Sequence, residues 1–300
     1  MLRLVNKPSI LTKSSTINSR FIQSKSKTNE WIYGYNPVKA TLSQNPKNRK
    51  LVRLLLVEDF PSERRLAKEV LLIREKRKDI NELAKKYNLN VEYCSKISIN
   101  NFTEGNPNQG ILLEASKINL ESITGLSKVE SDKAYHCQLN NKNITGKQLK
   151  PKKSSPVWLV LNNITDPHNV GSIIRSAYFF GIDGIILDIN NSPSLNSTVS
   201  KSSSGALDLI NIYSTNNLKK FLKNCKTNGW NIVGTGVSEG KECEDVNKME
   251  RQGIQENLIS ALDSMIYIPI AESGDSGLVD SLNVGVATGV LLNHLSKINN

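Results

Sequence analysis

Residues 162–177 combine polar side chains of several kinds around the start of a predicted helix. An apolar strand ends at Leu161, a proline-containing loop follows, and a helix is predicted to begin at or after Asn169. Asn169 and Arg175 carry an amide and a guanidinium, groups that orient hydroxyls and hold phosphates or developing negative charge. Taken alone, each also has a simpler interpretation, Asn169 as a helix N-cap and Arg175 as a surface arginine.

Residues 267–290 contain a second such arrangement. The apolar run 267–270 is followed by a loop rich in glycine and acidic residues, and then by Ser281, Asn283 and a helix of small and branched residues. Ser281 is predicted to cap that helix, whose small residues allow a neighbouring backbone to approach closely. A capped core helix explains Ser281 and the apolar residues, but it gives no role to Asn283 in the first turn.

The elements that must position these residues alternate in type. From residue 156 onward the pattern is strand, helix, strand, helix, which predicts a parallel sheet covered by helices on both faces. Residues 30–115 predict a smaller α/β unit with a long charged helix. Between the two, residues 116–155 lose their periodicity and gather Ser, Asn and Lys, which predicts a flexible linker.

The overall composition excludes some classes of protein and favours others. The chain has 38% hydrophobic and 22% charged residues, and no apolar run long enough for a membrane span. Its net charge of +11 favours a polyanionic partner. The four cysteines form no CxxC pair and no cluster with histidine, so neither a metal centre nor a disulfide framework is expected, and the thiols are predicted to be reduced. The four are Cys94, Cys137, Cys225 and Cys243.

The first 29 residues have the composition of a mitochondrial transit peptide. They hold basic residues, Ser and Thr, scattered aliphatic residues, and no Asp or Glu before Glu30. A disordered basic tail is the alternative. The basic residues are Arg3, Lys7, Lys13, Arg20, Lys25 and Lys27.

The two polar stretches together resemble the SpoU branch of the SPOUT methyltransferases. Residues 163–175 are similar to the family's motif 1, N-x-x-D-P-x-N-x-G-x-I-x-R, and residues 268–284 to its motif 3, a strand ending I-P-[MI] followed by S-L-N-V. The separation of about a hundred residues also fits the family. More weakly, residues 32–40 and 108–111 resemble the two ends of the family's ribosomal-protein-like RNA-binding domain.

The resemblance implies a fold and an activity. The fold is α/β: a C-terminal trefoil-knotted SPOUT methyltransferase domain over 156–300 and a small N-terminal α/β RNA-binding domain over 30–115. The activity is 2′-O-ribose methylation of RNA with S-adenosyl-L-methionine, in a homodimer and without a metal. The transit-like start points toward mitochondrial large-subunit ribosomal RNA, with a guanosine ribose as target, in the mitochondrial matrix. A tRNA ribose methyltransferase is the alternative substrate class.

The resemblance also assigns roles to side chains. Ile268 and Leu282 match positions whose backbone groups hold the adenine of the cofactor in the knot. Arg175 is interpreted as holding a phosphate and stabilising the developing oxyanion, because an arginine stays protonated and makes a poor base. The catalytic residues implied are Asn169, Arg175, Glu250, Ser281 and Asn283. The cofactor-binding residues implied are Thr235, Gly236, Gly253, Ile268, Ile270 and Leu282.

The sequence departs from the family at motif 2, an apolar strand running into G-x-E-x-x-G-[LI]. Residues 250–254 fit the E-x-x-G-[LI] tail, but the residues before them, 241–249, are polar and acidic where a strand is expected. A missing interior strand leaves backbone groups of its neighbours unpaired, at roughly 1–3 kcal/mol for each buried group. We hypothesise that a short coding segment was lost between Met249 and Glu250. A catalytically inactive RNA-binding or ribosome-assembly protein is the alternative.

Overall fold

The computed structural model describes residues 28–43, 49–58, 67–139, 145–237, 254–269 and 281–298. The predicted transit peptide lies outside these ranges, apart from its last two residues. So do the motif 2 residues 250–253. Among the described residues, no helix has the length and apolarity to cross a membrane.

The N-terminal unit is a four-stranded sheet with helices on it. Its central strands, β2 and β4, are antiparallel neighbours, and the order across the sheet is β1-β4-β2-β3. Their apolar residues, such as Leu54, Leu56 and Leu113, are fully buried because helices cover the sheet. The sequence did not predict β1, α1 or α3. The elements are β1 (Asn29–Tyr33), α1 (Tyr35–Ser43), β2 (Leu51–Val57), α2 (Ala67–Lys86), β3 (Asn90–Cys94), α3 (Lys96–Phe102) and β4 (Ile111–Ser116).

The predicted flexible linker instead contains regular structure. Residues 123–149 include three antiparallel strands, β5 (Ile123–Leu126), β6 (Tyr135–Leu139) and β7 (Thr145–Leu149). The sequence missed them because the strands are short and their exposed positions carry polar residues. Tyr135 and Cys137, which seemed to belong to a flexible stretch, are buried on the inner face of β6.

This middle sheet is fastened to the C-terminal unit by side chains that satisfy its backbone carbonyls. Asn228 Nδ2 donates to the carbonyl of Leu126 at 2.7 Å, and Trp230 Nε1 donates to that of Ser127 at 2.8 Å. Since a buried carbonyl without a donor is costly, these bonds fix the segment in place.

The C-terminal unit alternates strands and helices, as the sequence predicted. Its parallel strands form two sheets among the described residues, one of order β10-β9-β8 and one of β11 with β12. The elements are β8 (Trp158–Leu161), α4 (Pro167–Phe179), β9 (Gly184–Asp188), α5 (Ser197–Ser202), a 3-10 turn (Ala206–Asp208), β10 (Asn211–Thr215), α6 (Leu218–Thr227), β11 (Val233–Val237), α7 (Glu256–Ile259), β12 (Ser264–Ile268) and α8 (Val284–Ile298).

The trefoil knot and the missing strand stay predictions. Both depend on the chain between β11 and α7 and on the chain between β12 and α8, and large parts of these connections lie outside the described ranges. Within those ranges β8 pairs with β9 alone. A further strand beside β8 could therefore join the two parallel sheets into one.

A buried ion cluster joins the N-terminal and C-terminal units. The Arg49 side chain, 1% exposed, pairs with Glu30 of β1 and, at 2.7 Å, with Asp208 beyond α5. Thr41 of α1 also donates a hydrogen bond to Asp208, at 3.0 Å. A charge this deeply buried is tolerated only when it is paired, so the cluster determines how the two units sit together.

We predict that Asp208→Ala lowers the free energy of unfolding by about 3 kcal/mol, because it leaves Arg49 buried with one carboxylate fewer. Urea unfolding followed by circular dichroism measures the loss. Lys150→Ala is the control, since its ion pair with Asp132, at 3.9 Å, is exposed and is worth less than about 1 kcal/mol. Equal losses in the two variants would contradict the role given to the cluster.

Candidate active site

Helix α4 begins three residues earlier than its sequence predicted. Asp166 is the N-cap, and its side chain accepts a hydrogen bond from the backbone N–H of His168 at 3.0 Å. Pro167 follows at the first helical position, where the absence of an N–H costs nothing. The prediction that Asn169 caps this helix is therefore wrong. Asn169 lies in the first turn, with its side chain available for other contacts.

Helix α8 is capped by Asn283, and the prediction that Ser281 caps it is wrong. The Asn283 Oδ1 atom accepts from the backbone N–H of Gly285 at 2.9 Å and of Val286 at 3.4 Å. Asparagine is among the preferred N-cap residues. Ser281 is exposed two residues before the cap. The role that the sequence left open for Asn283 is thus in part structural.

The same Asn283 side chain joins the two motifs. Its Nδ2 atom donates a hydrogen bond to Oδ1 of Asn169 at 3.0 Å, across 114 residues of sequence. Asn283 therefore uses its oxygen to cap α8 and its nitrogen to hold Asn169. The two first turns meet side by side, with one pair of amides at the surface between them.

Small residues allow the first turns of α4 and α8 to come this close. A Cβ atom added to Gly285 of α8 would lie 2.1 Å from the Ser172 hydroxyl of α4, so the two helices touch where glycine faces serine. On another side of α4, a Cβ at Gly171 would lie 1.8 Å from the Ser202 hydroxyl of α5. The close packing predicted for α8 is present, and α4 has the same property.

Arg175 lies on α4 but does not touch this amide pair. It is six residues beyond Asn169, about 9 Å along the helix axis, and its side chain is exposed. No hydrogen bond or ion pair of Arg175 is found among the described residues. Its guanidinium is free to reach an anion at the surface next to the paired helix starts.

Three of the predicted cofactor-binding residues meet at one end of a sheet. In the register of β11 and β12, Gly236 lies opposite Tyr267, so Thr235, Gly236 and Ile268 are neighbours at the carboxyl ends of parallel strands. Open α/β sheets bind ligands at this edge. Among the described residues, a Cβ at Gly236 would meet only the end of the Met265 side chain, at 3.2 Å, a flexible group that can move aside.

The remaining predicted residues differ in how they are placed. Leu282 is exposed next to the Asn283 cap, which suits a residue that covers a bound ligand. Glu250, Gly253 and Ile270 lie outside the described residues. Ile254 directly follows Gly253. Its Cδ1 atom lies 3.2 Å from where a Cβ atom on Gly234 of β11 would be, so Ile254 packs against β11. The end of the motif 2 tail therefore lies beside the predicted cofactor edge.

One candidate residue at the end of another strand was missed by the sequence. Asn162 directly follows β8, and both polar atoms of its side-chain amide are buried without a hydrogen-bond partner among the described residues. An orphaned buried amide costs about 1–3 kcal/mol, so such groups are kept where a ligand or another segment satisfies them. Its place before a proline loop, at the carboxyl end of a strand, was the available signal. A buried amide with both polar atoms unpaired by described residues fits a polar group of a cofactor.

The cysteines belong to the core and not to the site. Burial raises the pKa of the Cys137 thiol to about 11 and that of Cys225 to about 12, so both stay protonated and unreactive at neutral pH. Together with Cys94 they are free thiols. Cys243 lies outside the described ranges, within which no group of three potential metal ligands occurs.

We predict that Gly171→Ala lowers the free energy of unfolding by about 1–3 kcal/mol, because the new methyl group also approaches the backbone nitrogen of Ser203, at 3.0 Å. Gly289→Ala in α8 is the matched control. Within the described part of the chain its Cβ meets only the Ser176 hydroxyl, at 3.8 Å, so helix propensity makes the change neutral or stabilising by up to about 1 kcal/mol. Urea titration of both variants tests the pair, and a loss as large for Gly289→Ala would contradict this packing.

Two family models match the chain. The model of the SpoU rRNA Methylase family matches residues 156–293, and that of RNA 2′-O ribose methyltransferase substrate binding matches residues 31–120. The first covers both polar motifs, and the second covers the N-terminal unit.

Curated relatives and solved structures agree with these models. The chain is 33% identical over 73% of its length to rRNA methyltransferase 1, mitochondrial, of Dictyostelium discoideum, of which it spans 44%. It is 32% identical over 89% of its length to the protein of the same name from Saccharomyces cerevisiae, of which it spans 69%. It is 28% identical to a 23S rRNA (guanosine-2′-O-)-methyltransferase of Neisseria meningitidis, over 89% of this chain and 94% of that one.

The fold is that of an AdoMet-bound rRNA methyltransferase from Sinorhizobium meliloti, with a TM-score of 0.60, 17% identity, and coverage of 90% of this chain and 88% of that one. With the two motifs joined by an asparagine pair, these similarities identify the chain. It belongs to the SpoU rRNA methylase family.

Proposed function

We propose that this protein methylates the ribose 2′-hydroxyl of a guanosine in mitochondrial large-subunit ribosomal RNA, with S-adenosyl-L-methionine as methyl donor. The hydrogen bond between Asn283 and Asn169 carries the proposal, because it unites the two family motifs at one exposed point. Membership of the family and the names of the relatives support the substrate class. The cofactor, when bound, supplies a methyl group already activated by a sulfonium.

The residues of the chain have to align the reactants. Asn169 and Asn283 present an amide pair next to the helix starts, where the ribose is oriented by hydrogen bonds, and Ser281 adds a hydroxyl close by. Arg175 holds the adjacent phosphate and stabilises the negative charge that develops on the ribose 2′-oxygen as the hydroxyl proton passes to water. The exposed guanidinium of Arg175 supports this role, since nothing in the described part of the chain neutralises it.

The backbone at the ends of β11 and β12 is assigned to the cofactor. Thr235, Gly236 and Ile268 lie together at this edge, and Leu282 covers the bound group from the start of α8. Gly253 and Ile270 complete the set in the proposal. Glu250 is proposed to fix Asn169 or Arg175.

The mitochondrial matrix is the proposed location. Two relatives are named as mitochondrial enzymes, and residues 1–29 have the composition of a transit peptide. Cleavage of that segment would remove only Thr28 and Asn29 from the described residues, and Asn29 is the first residue of β1.

Binding of S-adenosyl-L-methionine tests the proposal directly. Isothermal titration of the purified chain should show one site per protomer. Mapping of ribose methylation in mitochondrial ribosomal RNA, with and without the gene, should show loss of one modified guanosine. A chain that binds RNA but not the cofactor would instead be an assembly protein, the outcome favoured if the motif 2 strand is absent.

We predict that Arg175→Ala reduces methyl transfer by about a hundredfold or more while RNA affinity changes by less than about tenfold. The reason is that Arg175 stabilises charge that exists only in the transition state. Transfer of labelled methyl groups and a filter-binding assay measure the two quantities. Lys219→Ala removes a charge from an exposed site on α6 and should leave both methyl transfer and RNA affinity unchanged. Weakened RNA binding as the sole defect of Arg175→Ala would overturn this assignment.

We propose that the protein is a homodimer through the exposed face of α4 and α8. Val286 and Val290 of α8 are 55% and 47% exposed at helical spacing, and Phe179 at the end of α4 is 80% exposed. Burial of such apolar surface drives association. Arg175 lies one turn before Phe179, so the face adjoins the active site.

We predict that Val286→Asp shifts the protein toward monomer in light scattering, because a carboxylate is costly to bury in an apolar interface. Ile97→Asp, at a position on α3 of the N-terminal unit that is 74% exposed, is the control and should leave the oligomeric state unchanged. A dimer that survives Val286→Asp at micromolar concentration would exclude this face.

A further inference from the structure

Lys201 reaches from the C-terminal unit into the N-terminal one. It lies on α5, is half-buried, and places its ammonium 5.6 Å from the centre of the Tyr33 ring on β1. A Cβ on Gly34 would come within 2.7 Å of the same nitrogen. We call Tyr33, Gly34, Gln109 and Lys201 the junction cluster.

The charge of Lys201 is not neutralised by a carboxylate. No ion pair within 4 Å involves it among the described residues, although Arg49, at the same domain junction, has two. Burial lowers the pKa of Lys201, which means that the surroundings oppose its charge. An ammonium kept at such a place without an anion has a cost for folding, and the stacking on Tyr33 offsets only part of it.

One of the two loops beside Lys201 is held in a strained conformation. Gln109, with φ of +57°, lies in the left-handed region, which is unfavourable for glutamine. Gly34, with φ of +91°, turns the neighbouring loop in a conformation that glycine tolerates without strain. The Gln109 Oε1 atom accepts from the backbone N–H of Tyr35 at 2.7 Å, which ties the two loops together and leaves the amide NH2 to donate elsewhere. Strain of this kind concentrates at binding sites.

The surface continues with a second cation. Lys76 of α2 lies 5.2 Å from the centre of the Tyr35 ring and has no ion pair with a described residue. Lys39, whose ammonium lies 5.4 Å from the centre of the same ring, is neutralised by Asp79 at 2.7 Å. Lys201 and Lys76 therefore form an uncompensated positive edge around the tied loops.

The junction cluster lies across α5 from the catalytic motif. Ser202, the next residue after Lys201, directs its hydroxyl to the carbonyl of Pro167 at 3.4 Å and contacts Gly171 of α4. Lys201 and Ser202 point about 100° apart on α5. The Lys201 ammonium and the first turn of α4, which carries Asn169, therefore lie against two different faces of one helix. An extended RNA strand could contact both places.

We propose that Lys201 binds a backbone phosphate of the RNA where the strand passes from the N-terminal unit to the methylation site. A compact ammonium suits a phosphate oxygen, and Gln109 can donate to the same group. The proposal rests on the proposed function, since it names a further contact with the same substrate. Lys201 is a binding residue in it and takes no part in the chemical step.

The test compares Lys201→Met with the wild-type chain, using an in vitro transcript of the mitochondrial large-subunit ribosomal RNA. Methionine keeps the packing against Tyr33 and removes the charge. We expect RNA affinity to fall about three- to tenfold and the slope of log Kd against log salt concentration to fall by about one charge. KM for RNA should rise with kcat nearly unchanged, and cofactor binding should be unaffected.

Two further variants make the result specific. Lys201→Arg should restore most of the affinity, and Lys219→Met, which removes one exposed charge from α6, should leave affinity and salt slope as in the wild type. Thermal unfolding checks that each variant is folded, and Lys201→Gln replaces the methionine variant if that one is not.

The outcomes separate the two proposals. If Lys201→Met binds RNA with the wild-type affinity and salt slope, the phosphate contact is wrong, whether or not the chain is active. If the wild-type chain binds RNA but neither binds cofactor nor transfers methyl groups, the proposed function fails, while the affinity measurements still decide on Lys201. A wild-type chain without affinity for the transcript overturns both.

Discussion

The contact between α4 and α8 is the constraint on which the site depends. Glycine against serine brings the two helix starts close enough for one hydrogen bond, 3.0 Å long, between Asn283 and Asn169. A methyl group at Gly285 would separate the helices, and the two motifs would then be unrelated surface features. The caps at Asp166 and Asn283 fix where the two helices start, and so where the two amides meet.

The sequence could predict the motifs but not how they are held. Types and spacing were enough to propose the residues at 169, 175, 281 and 283 as site residues, because the family resemblance depends on them. The caps were assigned wrongly, since Asp, Asn and Ser compete for such positions and only geometry shows which side chain bends back. Asp166 and Asn283 are the caps, since α4 begins at Pro167 and α8 at Val284, the residues that directly follow them.

The middle sheet shows a second limit of sequence patterns. Strands of four or five residues with polar faces look like irregular chain, and the donors that fix them, such as Asn228 and Trp230, lie about a hundred residues away. The docking of the N-terminal unit onto the C-terminal one was equally hard to predict, because nothing in the sequence relates Arg49 to Asp208. Contacts of this kind depend on tertiary structure, which local propensity does not encode.

The aromatic residues of the middle sheet give each region its own optical signal. Tyr135 lies edge-on to Trp158 and Trp230, at 6.4 and 5.5 Å between ring centres, whereas Trp31 stacks near Phe102 in the N-terminal unit. The indole of Trp158 also donates to the Tyr135 hydroxyl at 3.1 Å. With only three indoles in 300 residues, intrinsic fluorescence after single Trp→Phe replacements separates melting of the β6 region from melting of the amino-terminal half.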